Sequence, residues 1–124
     1  MTTVLVVDDN PANRKLARDV LDAAGFRTLG AATGAEAIAL AAEHVPDVVL
    51  LDLRLPDMPG AEVIERLRDG ERTTGIPIVA MSAMPLQEHG DWLEAAGFAG
   101  SLDKPIHVRT FPDEVRRFCA RPGG

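Results

Sequence analysis

Three short apolar runs constrain this chain more than anything else in it: Val4–Val7 (VLVV), Asp47–Leu51 (DVVLL) and Ile76–Ala80 (IPIVA). They are rich in Val, Ile and Leu and carry almost no polar alternation. A strand with one face in water alternates apolar and polar residues, whereas one covered on both faces reads as a continuous apolar run. Both-face burial belongs to parallel sheets sandwiched between helices. Weaker runs at Arg27–Ala31 and Ala99–Leu102 supply two further strands. Amphipathic segments fall between and after them: Ala12–Ala24, Gly34–Glu43, Gly60–Asp69, Leu86–Ala96 and Phe111–Ala120. In the first, Leu16, Val20, Leu21 and Ala24 have helical spacing, Asn10 is placed to cap, and Pro11 suits the first helical position. Gly25, Gly70 and Gly97 stand where helices should stop. Five repeats of strand then helix predict an α/β, doubly wound, five-stranded parallel sheet with five helices on its two faces. The 124 residues suit one domain, expected over 1–120, with 121–124 (RPGG) as a loose tail.

In such a sheet, ligands bind beyond the carboxyl ends of the strands. The residues that follow each run are therefore informative. Asp8 and Asp9 follow the first, Asp52 closes VVLLD, Ser82 and Ala83 follow the fourth, and Lys104 follows the fifth. A parallel arrangement puts all of them on one rim. Taken singly, an Asp pair is a turn or a helix cap, and a lysine before proline is a solvated loop. Their joint placement, in order, makes a site.

Three carboxylates so close repel one another and call for a hard cation. Mg²⁺ is commonly held by one or two carboxylates together with phosphate oxygens. A carboxylate beside Mg²⁺ can attack phosphorus and form an aspartyl phosphate. Metal and lysine then neutralise the phosphoryl oxygens, the main requirement of phosphoryl transfer. Asp52, alone at the end of a central strand, is the expected nucleophile. Asp8 and Asp9 are expected to hold Mg²⁺, Lys104 and Ser82 to contact the phosphoryl group, and Ala83 to leave room for it.

These pieces, VLVVDDNPANR, VVLLDLRLPDMPG, IPIVAMSA and LDKPI, resemble the receiver domain of two-component response regulators. Spacing agrees: 43 positions separate Asp9 from Asp52, 30 separate Asp52 from Ser82, and 22 separate Ser82 from Lys104. The resemblance runs along essentially the whole chain. Within the family it is similar to single-domain receivers of the cell-division type, which open on a related EDN motif. The resemblance implies strand order 2-1-3-4-5 and a cis Lys104–Pro105 peptide. It implies Asp52 as phosphoacceptor, and Mg²⁺ on Asp9, Asp52 and the backbone carbonyl of Arg54, with Asp8 reaching the ion largely through water. It implies a histidine kinase or histidine phosphotransfer protein as phosphodonor. A downstream protein would read the face formed by the fourth helix, fifth strand and fifth helix. One departure stands out: receivers typically place Tyr or Phe three residues before the lysine, and here Ser101 is there.

Other functions fit less well. A haloacid-dehalogenase-like hydrolase also uses a strand-end Asp, but needs a second Asp two residues on, where this chain has Arg54. A flavodoxin-like flavin binder needs aromatic flanks, yet there are four Phe, one Trp and no Tyr. A phosphate sink, or a degenerate receiver acting only as a binding module, keeps the same fold. The net charge of −6 argues against direct nucleic-acid binding. No signal peptide and no apolar run of membrane-spanning length is visible, so a cytoplasmic location is expected. The resemblance implies a phosphoacceptor signalling domain that promotes its own phosphorylation and dephosphorylation rather than an enzyme. His44, His89 and His107 lack ligand spacing. Pro56–Gly60 reads as a structural turn with Asp57 near the site but not a ligand. Cys119 reads as a helix-packing residue. Trp92 is either partly buried or a partner contact.

Overall fold

The computed structural model describes residues 2–82, 97–103 and 106–119, with Ser82 and Asp103 as backbone only. Its strands are β1 (Thr3–Val7), β2 (Arg27–Ala31), β3 (Val48–Asp52), β4 (Ile78–Ser82) and β5 (Gly100–Asp103). They form one parallel sheet in the order β2-β1-β3-β4-β5, as the resemblance implies. Four helices are described: α1 (Pro11–Ala23), α2 (Gly34–His44), α3 (Gly60–Asp69) and α4 (Phe111–Phe118). The helix expected over Leu86–Ala96 and the Lys104–Pro105 peptide lie outside the described residues. So does the 121–124 tail.

All five residues of β3 are buried, which explains its unbroken apolar run. Successive side chains enter opposite layers. Val49 and Leu51 join Leu5, Val7, Ile78 and Ala80 in a core closed by Ala37 and Ala41 of α2 and Val63, Ile64 and Leu67 of α3. Val48 and Leu50 join Val4, Val6, Val79 and Met81 in a second core closed by Ala17 and Leu21 of α1 and Phe111 and Val115 of α4. Fully burying one such Val or Leu contributes about 1.5–3 kcal/mol.

Leu16 corrects the expectation for α1. It is 43% exposed, while Ala17 and Leu21 are buried. The core-facing stripe is Ala17, Val20, Leu21 and Ala24, which leaves Leu16 at its outer edge. Strand boundaries differ where backbone donors matter. IPIVA forms a strand only from Ile78, because Pro77 has no N–H to give a ladder. The Pro77 carbonyl still accepts the Val49 N–H at 3.0 Å. Asp47 stays outside β3 and ties down the start of β1. Its amide donates to the Thr3 carbonyl at 2.8 Å, and its Oδ2 accepts the Thr3 N–H at 2.8 Å. Both strands also run further toward the rim than expected, with Asp52 and Ser82 as their last residues.

Of the described helices, α1 and α3 end at the expected glycines. Gly25 and Gly97 have φ of +96° and +100°, the left-handed conformation glycine adopts at no steric cost. Gly70 ends α3 with φ −86°. The α2 terminus is unmarked by glycine: Val45 takes φ 46°, an unusual conformation for a β-branched residue. Pro46 follows it and disfavours a further helical turn at Val45. α4 ends at Phe118, two residues sooner than expected, with Cys119 extended at φ −64°, ψ 144°. Cys119 packs against the α1/α4 core, and burial pushes its thiol pKa up.

Candidate metal centre

β1 and β3 are direct neighbours, paired through Val7 and Leu51. One step further stand Asp8 and Asp52, so the register itself sets the two carboxylates side by side. Asp8 and Asp52 are buried at 5% and 8% exposure, and Asp9 is exposed. One oxygen from each of the three lies within 4.8 Å of the others.

The chain spends several hydrogen bonds on fixing these groups. The Asp8 amide donates to the Ala31 carbonyl at 3.0 Å, extending the β1–β2 ladder by one residue. The Asn10 amide donates to Asp8 Oδ1 at 2.9 Å. Asn10 then caps α1, its Oδ1 accepting the amides of Ala12 at 2.9 Å and Asn13 at 3.2 Å. Pro11 follows at the first helical position. Arg14, one turn into α1, donates Nη1 to the Asp8 carbonyl at 2.7 Å. On the other side, the Arg54 amide donates to Asp52 Oδ1 at 2.9 Å. Carboxylates this close repel one another. Amide donors offset part of this, and a divalent cation would offset the rest. An all-oxygen donor set, part buried and part open, suits Mg²⁺.

The described residues bring together three of the expected site residues, Asp8, Asp9 and Asp52, with the Arg54 backbone beside them. The Arg54 side chain is exposed. Ser82 ends β4, in register with Asp103 of β5, but its side chain, Ala83 and Lys104 lie outside the described residues, as do His89 and Trp92. His44 and His107 are exposed and are not part of the three-carboxylate group.

The loop after β3 holds a feature the sequence did not disclose. Asp57 accepts the Gly34 amide at 2.8 Å and the Ala35 amide at 3.0 Å, one on each carboxylate oxygen. It caps α2 from 22 residues away, alongside the local cap Thr33, whose Oγ1 accepts the Glu36 amide at 3.1 Å. The two backbone donors hold the Asp57 carboxyl below the ordinary aspartate range. Spacing within a helix reveals local caps; a cap contributed by a distant loop leaves no local pattern.

Comparison with known proteins agrees with this geometry. Polar-differentiation response regulator DivK of Brucella ovis is 35% identical over 116 residues, 94% of each chain. The chemotaxis response regulator CheY4 of Vibrio cholerae superimposes with a TM-score of 0.89 at 30% identity, covering 95% of this chain and 98% of its own. The receiver domain of a Pseudomonas aeruginosa sensor histidine kinase, solved with a magnesium ion coordinated in its active-site cleft, gives a TM-score of 0.84 at 29% identity over 94% and 96%. Residues 4–116 match the response regulator receiver domain as a family. With that match over most of its length, and an acidic cluster at the carboxyl ends of β1 and β3, the chain belongs to the receiver domains of two-component signalling.

Proposed function

We propose that this chain is a phosphoryl-accepting receiver over residues 1–120, that Asp52 is its phosphoacceptor and that Mg²⁺ is its cofactor. The observation that carries the reading is the convergence of Asp8, Asp9 and Asp52 oxygens within 4.8 Å. Asp9, Asp52 and the Arg54 carbonyl would ligate the ion, with Asp8 acting largely through water. Bound there, Mg²⁺ would supply charge neutralisation for the phosphoryl oxygens.

The residues divide the remaining work. An Asp52 carboxylate oxygen attacks phosphorus, an O–P bond forms, and the donor histidine's N–P bond breaks, with the leaving imidazole taking a proton. Lys104 pairs with a phosphoryl oxygen and Ser82 contacts another, while Ala83 admits the group. The donor is a histidine kinase or histidine phosphotransfer protein. Output passes by protein contact through the Leu86–Ala96 segment, β5 and α4, with no direct role for nucleic acid. Among the described residues no helix is long and apolar enough to cross a membrane.

Intact mass after exposure to a small phosphodonor tests this. One phosphoryl group should add in the presence of Mg²⁺, not in chelator, and not in Asp52→Asn. Full labelling of Asp52→Asn would place the acceptor elsewhere.

A further inference from the structure

As a metal ligand in the proposed site, the Arg54 carbonyl would be of an unusual kind, because a backbone oxygen is only as well placed as the loop that carries it. The far end of the loop between Asp52 and Gly60 is held through the backbone, the Pro59 carbonyl accepting the Glu62 amide at 3.0 Å. Its last residue, Pro59, is the N-cap of α3 and makes no side-chain capping bond. A single isolated bridge joins Arg54 to Pro59. The strongest anchors point sideways, to α2. Asp57 binds two successive amides at the α2 N-terminus. Next to it, Met58 packs against Gly34 so closely that a Cβ there would lie 2.6 Å from Met58 Cγ and 2.9 Å from Sδ. Gly34 is buried, so this contact is part of the α2/α3 layer rather than a surface brush. Bridge, cap and Met58 contact together close the loop around Arg54.

We propose that Asp57 is a positioning residue for the metal centre: by capping α2 it fixes the loop that presents the Arg54 carbonyl. This rests on the reading of Asp8, Asp9, Asp52 and Arg54 as the Mg²⁺ site. Asp57 itself touches neither metal nor phosphoryl group. Its effect is that α2, which carries none of the ligands, takes part in metal affinity. Outer partners that orient metal ligands typically alter affinity 10–100-fold when removed, and a loop anchor acting through one ligand of several belongs at about tenfold.

The test is calorimetric titration of the full chain with Mg²⁺ alone, beside thermal unfolding of the same proteins without metal. Asp57 is exposed at a loop tip, so its variants leave both cores intact. Asp57→Ala should bind Mg²⁺ about tenfold more weakly. Asp57→Asn keeps one acceptor oxygen for two amides and should fall between it and the parent. A lower unfolding temperature in Asp57→Ala with unchanged Mg²⁺ affinity would mean the cap serves stability only, and would overturn the proposal while leaving the metal site standing. Asp9→Asn separates the two failures. Should the parent bind no Mg²⁺, or Asp9→Asn bind it undiminished, the metal-site reading itself falls and the role of Asp57 falls with it.

Discussion

Asp57 Oδ1 accepts the amide of Gly34 at 2.8 Å, joining the loop after β3 to the first turn of α2. The carboxylate also sits at the positive end of the helix dipole, where an anion is favoured. The two amides from Gly34 and Ala35 are the main causes that depress its pKa. A depressed folded-state pKa means stabilisation that is complete above the unfolded value, about 3.9 for aspartate, and lost as pH falls through the folded value. The parent should therefore be more stable than Asp57→Ala at pH 7, by a margin that holds down to about pH 4 and closes below it. Urea unfolding of both proteins between pH 7 and pH 3 measures the margin. A gap that stays constant to pH 3 would show that the charge on Asp57 contributes nothing.

Gly100 gives a packing prediction. A Cβ at that position would lie 2.5 Å from Phe118 Cε1 and 2.8 Å from Cζ. The ring belongs to the last residue of α4 and lies against the α1/α4 core, so it cannot retreat without losing buried contact. Gly100→Ala should destabilise the fold by about 1–3 kcal/mol, the usual cost of overpacking. Chemical denaturation reads this directly. Gly25→Ala is the useful contrast, since nothing stands within 4 Å of a Cβ there and its cost is backbone strain at φ +96° alone. If Gly100→Ala matches the parent in stability, the α4 terminus adapts freely and Phe118 is not seated as described.

The sheet was readable because both-face burial leaves an unmistakable mark on VLVV and DVVLL, and because the strand ends then carry the charged residues. Asn10 and Pro11 were readable for a similar reason, since a cap and its helix adjoin in sequence. The strand limits at Ile78 and Val48 were less so: they depend on which amides find partners across the sheet, and Pro77 and Asp47 settle that by contacts with β3 and β1. Leu16 shows the limit of apolar spacing, which marks a stripe but not its edge. Val45 and Asp57 were illegible. The first takes a left-handed conformation that its residue type disfavours. The second finds its partners 22 and 23 positions away, a distance no local motif spans.

Lys104 should matter after phosphorylation more than before it. An ammonium has three donors and no lone pair, so it cannot ligate Mg²⁺, but it can make a charge-assisted bond to a phosphoryl oxygen. Lys104→Ala is expected to bind Mg²⁺ about as well as the parent, or better, because a nearby positive charge has gone. Its response to beryllofluoride, a phosphoryl mimic, should be impaired. Magnesium titration and mimic titration of the same variant separate these effects. A large loss of Mg²⁺ affinity would show that Lys104 organises the acidic cluster instead.

Ser101 shapes the last prediction. It lies on β5, in register with Ala80 of β4, three residues before Lys104, where receivers typically carry Tyr or Phe. A serine cannot fill or vacate an aromatic-sized space, so an aromatic rotamer cannot relay the phosphorylation state from this position. Ser82 ends β4; in the proposed reading it is the residue that approaches the phosphoryl group, and Ala83–Met84–Pro85 follows it in sequence. The signal would then pass to the segment expected as a helix over Leu86–Ala96. Gly90 lowers helix stability there by about 1 kcal/mol relative to Ala, and Trp92 offers a large apolar anchor for a partner. Trp92 is the single tryptophan, so its emission reports that segment alone. Addition of beryllofluoride with Mg²⁺ should change Trp92 fluorescence in the parent and leave Asp52→Asn unchanged. The opposing reading is a phosphate sink, which accepts the phosphoryl group without altering a docking surface. Mimic binding confirmed by calorimetry, with Trp92 emission unmoved, would decide for the sink.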